Sequence, residues 1–321
     1  MQPIIRRNVF TLLLLALFQL AAHAQTDMDA IMMGQHNLCV GPTYSHSSWK
    51  NYWEGTMKRD NQNLGTVSAN MYSIMGIYGI TDRLNFLFGA PYISTKASAG
   101  TLHNSRGIQD LSLWLKWMPV EKKLNSTSVF SIYGLAGYTT PLTNYQADYL
   151  PLTLGMHSRN LSARLMFDFQ HRGFFVTASG TYQYRSNIKI DRMSYYTTEM
   201  HITNEVEMPD VAELNVRTGY RSFRWITEVF FQQNRTLGGF DIRRNDMPFP
   251  SNRMNASIGG VHIKYVPKKM PGLSLEAGGS YVLDGRNVGQ ATEYNASVFY
   301  IFPLSHKKIT TPHTCKLCRL N

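Results

Sequence analysis

Along most of the chain, apolar and polar residues take turns. In His157–Gln170, Leu161, Ala163, Leu165, Phe167 and Phe169 share one parity, and Ser162, Arg164, Met166, Asp168 and Gln170 share the other. In Gly107–Met118, Leu111, Leu113, Leu115 and Trp117 oppose Asp110, Ser112, Trp114 and Lys116. In Val211–Arg221, Ala212, Leu214, Val216 and Tyr220 oppose Glu213, Asn215, Arg217 and Arg221. Successive side chains of a strand point to opposite faces, so a period of two signals strands. The pattern predicts about twelve strands of roughly 10–14 residues. They are Asn37–Ser47, Thr66–Tyr78, Leu84–Thr95, Gly107–Met118, Ser128–Thr140, His157–Gln170, Phe174–Ile188, Val211–Arg221, Phe223–Asn234, Met254–Val266, Leu273–Gly285 and Gln290–Phe302. Thr66–Tyr78 alternates least, because Met71, Ser73 and Met75 blur its faces.

The links between these segments have their own rhythm. Ile80–Arg83, Pro119–Thr127, His171–Gly173, the corner at Arg221–Phe223 and Pro267–Gly272 are short. Ser48–Gly65, Lys96–Arg106, Pro141–Met156, Lys189–Asp210 and Arg235–Arg253 are long, and Arg286–Gly289 is the one short link in that phase. Outer-membrane barrels have short periplasmic turns and longer external loops. A soluble sandwich has no reason to keep long and short links in phase. Two further features separate the barrel from a half-buried soluble sheet. Many charges lie on the polar face, and Tyr78, Trp117, Tyr138, Tyr220, Trp225, Tyr265, Tyr300 and Phe302 stand at strand ends, where interface girdles lie. The expectation is an all-β, transmembrane, antiparallel up-and-down β-barrel over residues 37–302. Lipid leaves no partner for an open sheet edge, so the last strand must pair with the first.

Composition agrees, with 18 Tyr, 16 Phe and 24 Gly and a mean hydropathy of −0.25. Arg6 and Arg7, the apolar run Val9–Leu20 and Ala22-His23-Ala24 read as a signal peptide over residues 1–24, cut before Gln25. That run is too short to span a bilayer as a helix, and no other long apolar run is present. Residues 25–36 are then expected as a periplasmic segment and 303–321 as a tail. The formal charge of +11 is concentrated at the ends, in Arg6, Arg7, Lys307, Lys308, Lys316 and Arg319. It forms no compact basic stripe with interleaved aromatics, so nucleic acid is not an expected partner. With 3 Cys, disulfides do not frame the fold.

The chemistry-bearing residues fall into three groups. Asp110, Lys116, Arg164, Asp168, Arg185, Glu213, Arg217, Glu228, Lys264 and Glu276, with Arg221 and Arg224, lie on the predicted inner face. Such residues line a pore and set its selectivity; alternatively they form a charge network that fills the interior. The acidic link Lys189–Asp210 folds inward as a constriction, captures a cation, or is a solvated loop. Cys315 and Cys318, with His313, form a C-x-x-C tail, and Met28, Met32, Met33 and His36 cluster near the other end. Soft sulfur ligands suit copper or zinc, although one C-x-x-C falls short of four ligands. Catalysis finds little support. Gly155–Asn160 contains a His and a Ser, but no third group is arranged to orient a base. No phosphate loop or H-E-x-x-H is present, so neither an enzyme nor a cofactor is expected.

Tyr78–Tyr92 reads Y-G-I-T-D-R-L-N-F-L-F-G-A-P-Y, and Gly107–Trp117 reads G-I-Q-D-L-S-L-W-L-K-W. These stretches resemble the first periplasmic turn and a following strand of outer-membrane transporters of the meta-pathway phenol degradation type. The aromatic-ended Ala296–Phe302 is similar to the last strand that the outer-membrane assembly machinery reads. The resemblance implies localisation in the bacterial outer membrane and passage of a small solute, with hydrophobic or aromatic compounds among the candidates. The competing expectation is a periplasm-facing barrel that handles copper or zinc through its terminal Met, His and Cys residues.

Overall fold

The computed structural model describes residues 26–244 and 246–304. The signal-peptide region, Gln25 and the tail with His313, Cys315 and Cys318 lie outside the described residues.

Twelve long strands form one closed ring. They are β1 (Asn37–Trp49), β2 (Val67–Thr81), β3 (Leu84–Ala97), β4 (Asp110–Lys123), β5 (Ser128–Pro141), β6 (Asn160–His171), β7 (Phe174–Arg185), β8 (Val211–Arg221), β9 (Trp225–Thr236), β10 (Asn255–Tyr265), β11 (Leu273–Arg286) and β12 (Thr292–Pro303). Each is antiparallel to its chain neighbours, and β1 pairs with both β2 and β12, which closes the barrel. Every expected strand is present, with ends shifted by a few residues. The chain is a closed, twelve-stranded, antiparallel β-barrel of the bacterial outer-membrane type. The fourth strand departs most from the expected Gly107–Met118. It breaks at Gln109, where Ser105–Ile108 continues it on the outer side, and it runs on to Lys123 past a bulge between Trp117 and Val120.

The two faces behave as lipid and lumen require. Leu161, Leu165, Phe167, Phe169, Leu214, Val216, Val229, Phe231, Val261 and Ile263 are exposed on the outside. Lys116, Asn85, Arg164, Asp168, Thr177, Asn215 and Glu276 are buried within. A row of large aromatics marks each rim. At the short-turn end, Trp225 lies tilted against Tyr265 and Phe174 meets Tyr220 edge-on. Towards the long-loop end, Tyr44 and Tyr72 lie side by side on β1 and β2, with Tyr92 next in register. Met71, Ser73 and Met75, which blurred β2 in the sequence, are its inward positions: a lumen lined by Met there has little polarity to contrast with the lipid face.

The long links carry structure of their own. Asn51–Glu54 pairs with Met57–Asp60. Within 186–210, Ile188–Lys189 pairs with Glu205–Val206 and Tyr195–Tyr196 with Met200–His201. Ile188, Ile190, Tyr195, Val206 and Met208 pack with Ala147 and, at the edge, Met156 and Phe249. This apolar cluster ties three outer loops together.

Candidate functional site

The inward charges are organised in rows. Because directly paired residues on tilted strands form a spiral, one row runs Asn85, Lys116, Leu135, Arg164, Thr181, Glu213 from β3 to β8. Residues 26–36, expected in the periplasm, make their contacts inside the barrel along this row. Gln35 and His36 attach at the short-turn end through Asp82 and the Gly79 carbonyl. The Met33 amide donates to Asn85 Oδ1 at 2.7 Å, and Asn85 Nδ2 donates back to the Met33 carbonyl at 3.0 Å. Tyr133 donates to the Ala30 carbonyl at 2.8 Å. Lys116 Nζ donates to Asp29 Oδ1 at 2.9 Å and to the carbonyls of Thr26 and Asp29 at 3.0 and 2.6 Å. Arg164 binds Asp27 at 3.0 Å and Glu213 at 3.1 Å.

This arrangement makes physical sense residue by residue. A fully buried ammonium needs its three protons accepted, and the segment supplies all three acceptors for Lys116. An unstranded segment has unpaired backbone groups, and Asn85, Lys116 and Tyr133 satisfy several of them. Gly79 permits the close approach: a Cβ there would lie 2.1 Å from the Gly34 oxygen. Apolar contacts complete the seat. Met33 packs with Cys39, Ile77, Leu87, Phe299 and Ile301, and Met32 with Met118, Tyr133, Leu135 and Met166.

Most of the remaining lumenal charges pair among themselves. Arg221 binds Asp168 at 3.0 Å and lies 3.5 Å from the Phe175 ring centre. Arg217 binds Glu228 at 2.7 Å. His262 sits 3.6 Å from both Glu228 and Glu276, and Lys264 is 3.3 Å from Glu276. Asp110, at the outer end of β4, accepts from Tyr145 of the next long loop. Arg185, at the outer end of β7, lines the lumen, and its amide donates to Asp210. Arg224 is in the turn between β8 and β9. The acidic link 186–210 spends Asp210 on Tyr182 and Arg185, and Glu205 on Asn187.

Among the described residues, several spaces flank this packing. Asp27 and Met28 separate two lumenal cavities. One, of about 500 Å³, is lined by Ser112, Trp114, Arg164, Arg185, Glu213 and Asn234 among others. The other, of about 520 Å³, lies against β8–β12, β1 and β2 and includes Met71, Met75, Phe230, Glu276, Glu293 and Phe299. A third, of about 820 Å³ and chiefly apolar, opens on the lipid side of β11, β12 and β1–β4, with Tyr44, Tyr72, Ile74, Tyr92, Ile108 and Val298 around it. It lies over two faults in the wall. Pro42 has no N–H to give the ladder, and pairing of β1 with β12 lapses between Val40 and Thr43. At Pro91, β3 faces the break in β4 at Gln109. A proline in a closed barrel has no free edge to occupy, so it interrupts a ladder. Thr43, Tyr44, Glu276 and Ser297 line both this groove and the second lumenal cavity.

No family profile and no curated protein matches this chain. Solved structures do. A COG4313 outer membrane channel from Pseudomonas putida F1 superposes with a TM-score of 0.68 at 16% identity, over 87% of this chain and 100% of that one. The chain has the fold of an outer-membrane channel. A mutant of the monoaromatic hydrocarbon channel TodX (TM-score 0.42, 10% identity, 84% of this chain and 91% of that one) and the KdgM porin (0.41, 9%, 82% and 99%) match more loosely.

The residues that sequence reading missed are Asp27, Asp29, Asn85, Tyr133, His262 and Glu293. One signal was present for Asn85 and Lys116: each is a strongly polar residue on the inner face of a strand otherwise rich in Leu, Phe and Trp. The metal expectation gains nothing from the described residues. Met32 and Met33 are spent on packing, and no group of three or more His, Cys, Asp or Glu among the described residues could hold an ion.

Proposed function

We propose that this barrel is a channel for small apolar or amphipathic solutes, which pass between the lumen and the bilayer through the faulted wall. One observation carries the reading. The apolar groove on the lipid face and the second lumenal cavity share Thr43, Tyr44, Glu276 and Ser297 at the place where Pro42 interrupts the β1–β12 ladder. The axial route is a poorer path for a polar solute, since the segment 26–34 and its ion pairs occupy the middle of the lumen. Pore selectivity then rests on inward groups that border the cavities, chiefly Arg164, Arg185, Glu213, Glu276 and Glu293. Asp168 is bound to Arg221 away from both cavities and acts as scaffold of the inner wall, and Arg217, Glu228 and Lys264 border the second cavity within their ion pairs.

The test is a covalent latch. Thr43 and Ser297 are directly paired across β1 and β12, a spacing suited to a disulfide. In a background with the native cysteines changed to serine, Thr43→Cys with Ser297→Cys gives a wall that oxidation locks. The readout is uptake of N-phenyl-1-naphthylamine, which fluoresces in apolar surroundings, by lipopolysaccharide-coated vesicles. Reduced protein speeds uptake over protein-free vesicles, and oxidation abolishes most of that gain. Equal uptake in both redox states refutes passage through the wall, and no gain from the unmodified barrel refutes the channel reading as a whole.

A further inference from the structure

The second lumenal cavity has a chemical bias that points to its ligand. Its upper part holds Glu293, on the inward side of β12 and directly paired with Ser47 and Ser280 of the flanking strands. Among the described residues Glu293 makes no ion pair and no hydrogen bond. The other charges that line the cavity are already matched: Arg217 with Glu228, Arg221 with Asp168, and Lys264 with Glu276. The polar need left in this space is therefore for a cation. Below Glu293, Met71, Met75, Phe230 and Phe299 place apolar surface beside the polar Ser45, Asn295 and Ser297 and the paired charges. From Glu293 to Phe299 is six residues of strand, roughly 20 Å, and Met71, near Asn295 in register through Ser45, brings apolar surface close to the carboxylate.

We infer that this cavity is a binding site for amphipathic organic amines, with the ammonium at Glu293 and the apolar body along Met71, Met75, Phe230 and Phe299. The inference rests on the uptake reading above and narrows its substrate class. A carboxylate removed from bulk water binds an ammonium strongly through a charge-assisted hydrogen bond. Thioethers and aromatic rings adapt to varied apolar shapes. A neutral analogue would gain only the apolar contacts, and an anionic one would meet Glu293 as a like charge.

The experiment measures equilibrium binding of three matched probes to the full barrel in lipid nanodiscs, with empty nanodiscs subtracted. The probes are 2-phenylethylammonium, 2-phenylethanol and 3-phenylpropanoate. Wild type binds the ammonium roughly tenfold tighter than the alcohol, the scale of one hydrogen bond to a charged group, and binds the carboxylate weakest. Glu293→Gln removes the preference for the ammonium and leaves alcohol binding unchanged, while Glu293→Asp keeps the preference. Alcohol binding in Glu293→Gln serves as the check on its folding. Equal affinity of wild type for ammonium and alcohol, or an undiminished preference in Glu293→Gln, overturns the amine site and leaves the uptake reading standing. Failure of both ammonium and alcohol to bind wild type overturns the two together.

Discussion

Replacing Lys116 by Met should loosen the segment inside the barrel. The side chain is fully buried, and its ammonium is the donor to three oxygens, the Asp29 carboxylate and the carbonyls of Thr26 and Asp29. Met keeps the volume and removes every donor. The Asp29 charge is then buried without its partner, a change that costs about 3–5 kcal/mol in similar settings. The lower figure shifts the balance between seated and released segment by roughly 150-fold. Arg164 and Tyr133 still hold Asp27 and Ala30, and Asn85 holds Met33, so release should be partial, begin near Thr26 and Asp29, and spare the anchorage of 33–36. Single-channel recording in planar bilayers should show larger or longer openings for Lys116→Met than for wild type. Deleting 26–34 sets the upper limit. Lys116→Met with Asp29→Leu should return most of the way to wild type, because no charge is left unpaired. If Lys116→Met conducts like wild type while the deletion opens the barrel, the ion pair is not what seats the segment, and the argument fails.

Other consequences follow from the same geometry. Gly79→Ala should disturb the seating from the other end, since a Cβ there meets the Gly34 carbonyl; limited proteolysis should cut the N-terminal segment faster, and an unchanged rate would show that the approach has slack. Leu165→Arg, on the lipid face near mid-strand of β6, should destabilise the folded barrel by about 2–4 kcal/mol, read by urea titration in lipid vesicles; wild-type stability would mean that this face does not meet the bilayer core. In the outer loop, hydrogen bonds from Arg286, then Asn287, hold the Asp241 carboxyl down from 3.8 to about 2. A depressed folded-state value means that the tie is present in full above pH 3.8 and fades as pH falls through about 2. Hydrogen exchange in the loop after β9 should therefore stay slow down to about pH 2–3 in wild type, and be fast at every pH in Asp241→Asn.

How much of this was legible beforehand follows from the range of each interaction. The strands were legible because alternation is local: the lipid outside and the water and charge inside are written two residues apart along His157–Gln170 or Val211–Arg221. The phase of the links was legible for the same reason. The break at Gln109 was not, since it answers Pro91 on a neighbouring strand and leaves no trace in its own parity. The inward charges were found as a set, but their division of labour was hidden. Whether Lys116 borders open water or a buried acceptor depends on Asp29, 87 positions away, and residues 26–34 carry no periodicity to show where they lie. Physical reasoning could still have raised the question. A Lys at the centre of Leu113-Trp114-Leu115-Lys116-Trp117, in a barrel of this width, must meet either lumenal water or a carboxylate. Few inward acids on neighbouring strands sit close in register, so the acids nearest at hand are Asp27 and Asp29, just upstream of β1. The same reasoning separates Glu293 from its neighbours. Glu228 and Glu276 each face a basic residue on an adjoining strand, at Arg217 and Lys264, whereas Glu293 faces Ser47 and Ser280. A carboxylate set between two serines on a lumenal wall gains nothing for the fold that a serine or glutamine would not supply at lower desolvation cost. Its presence is therefore better accounted for by what the cavity holds than by what the barrel needs to stand.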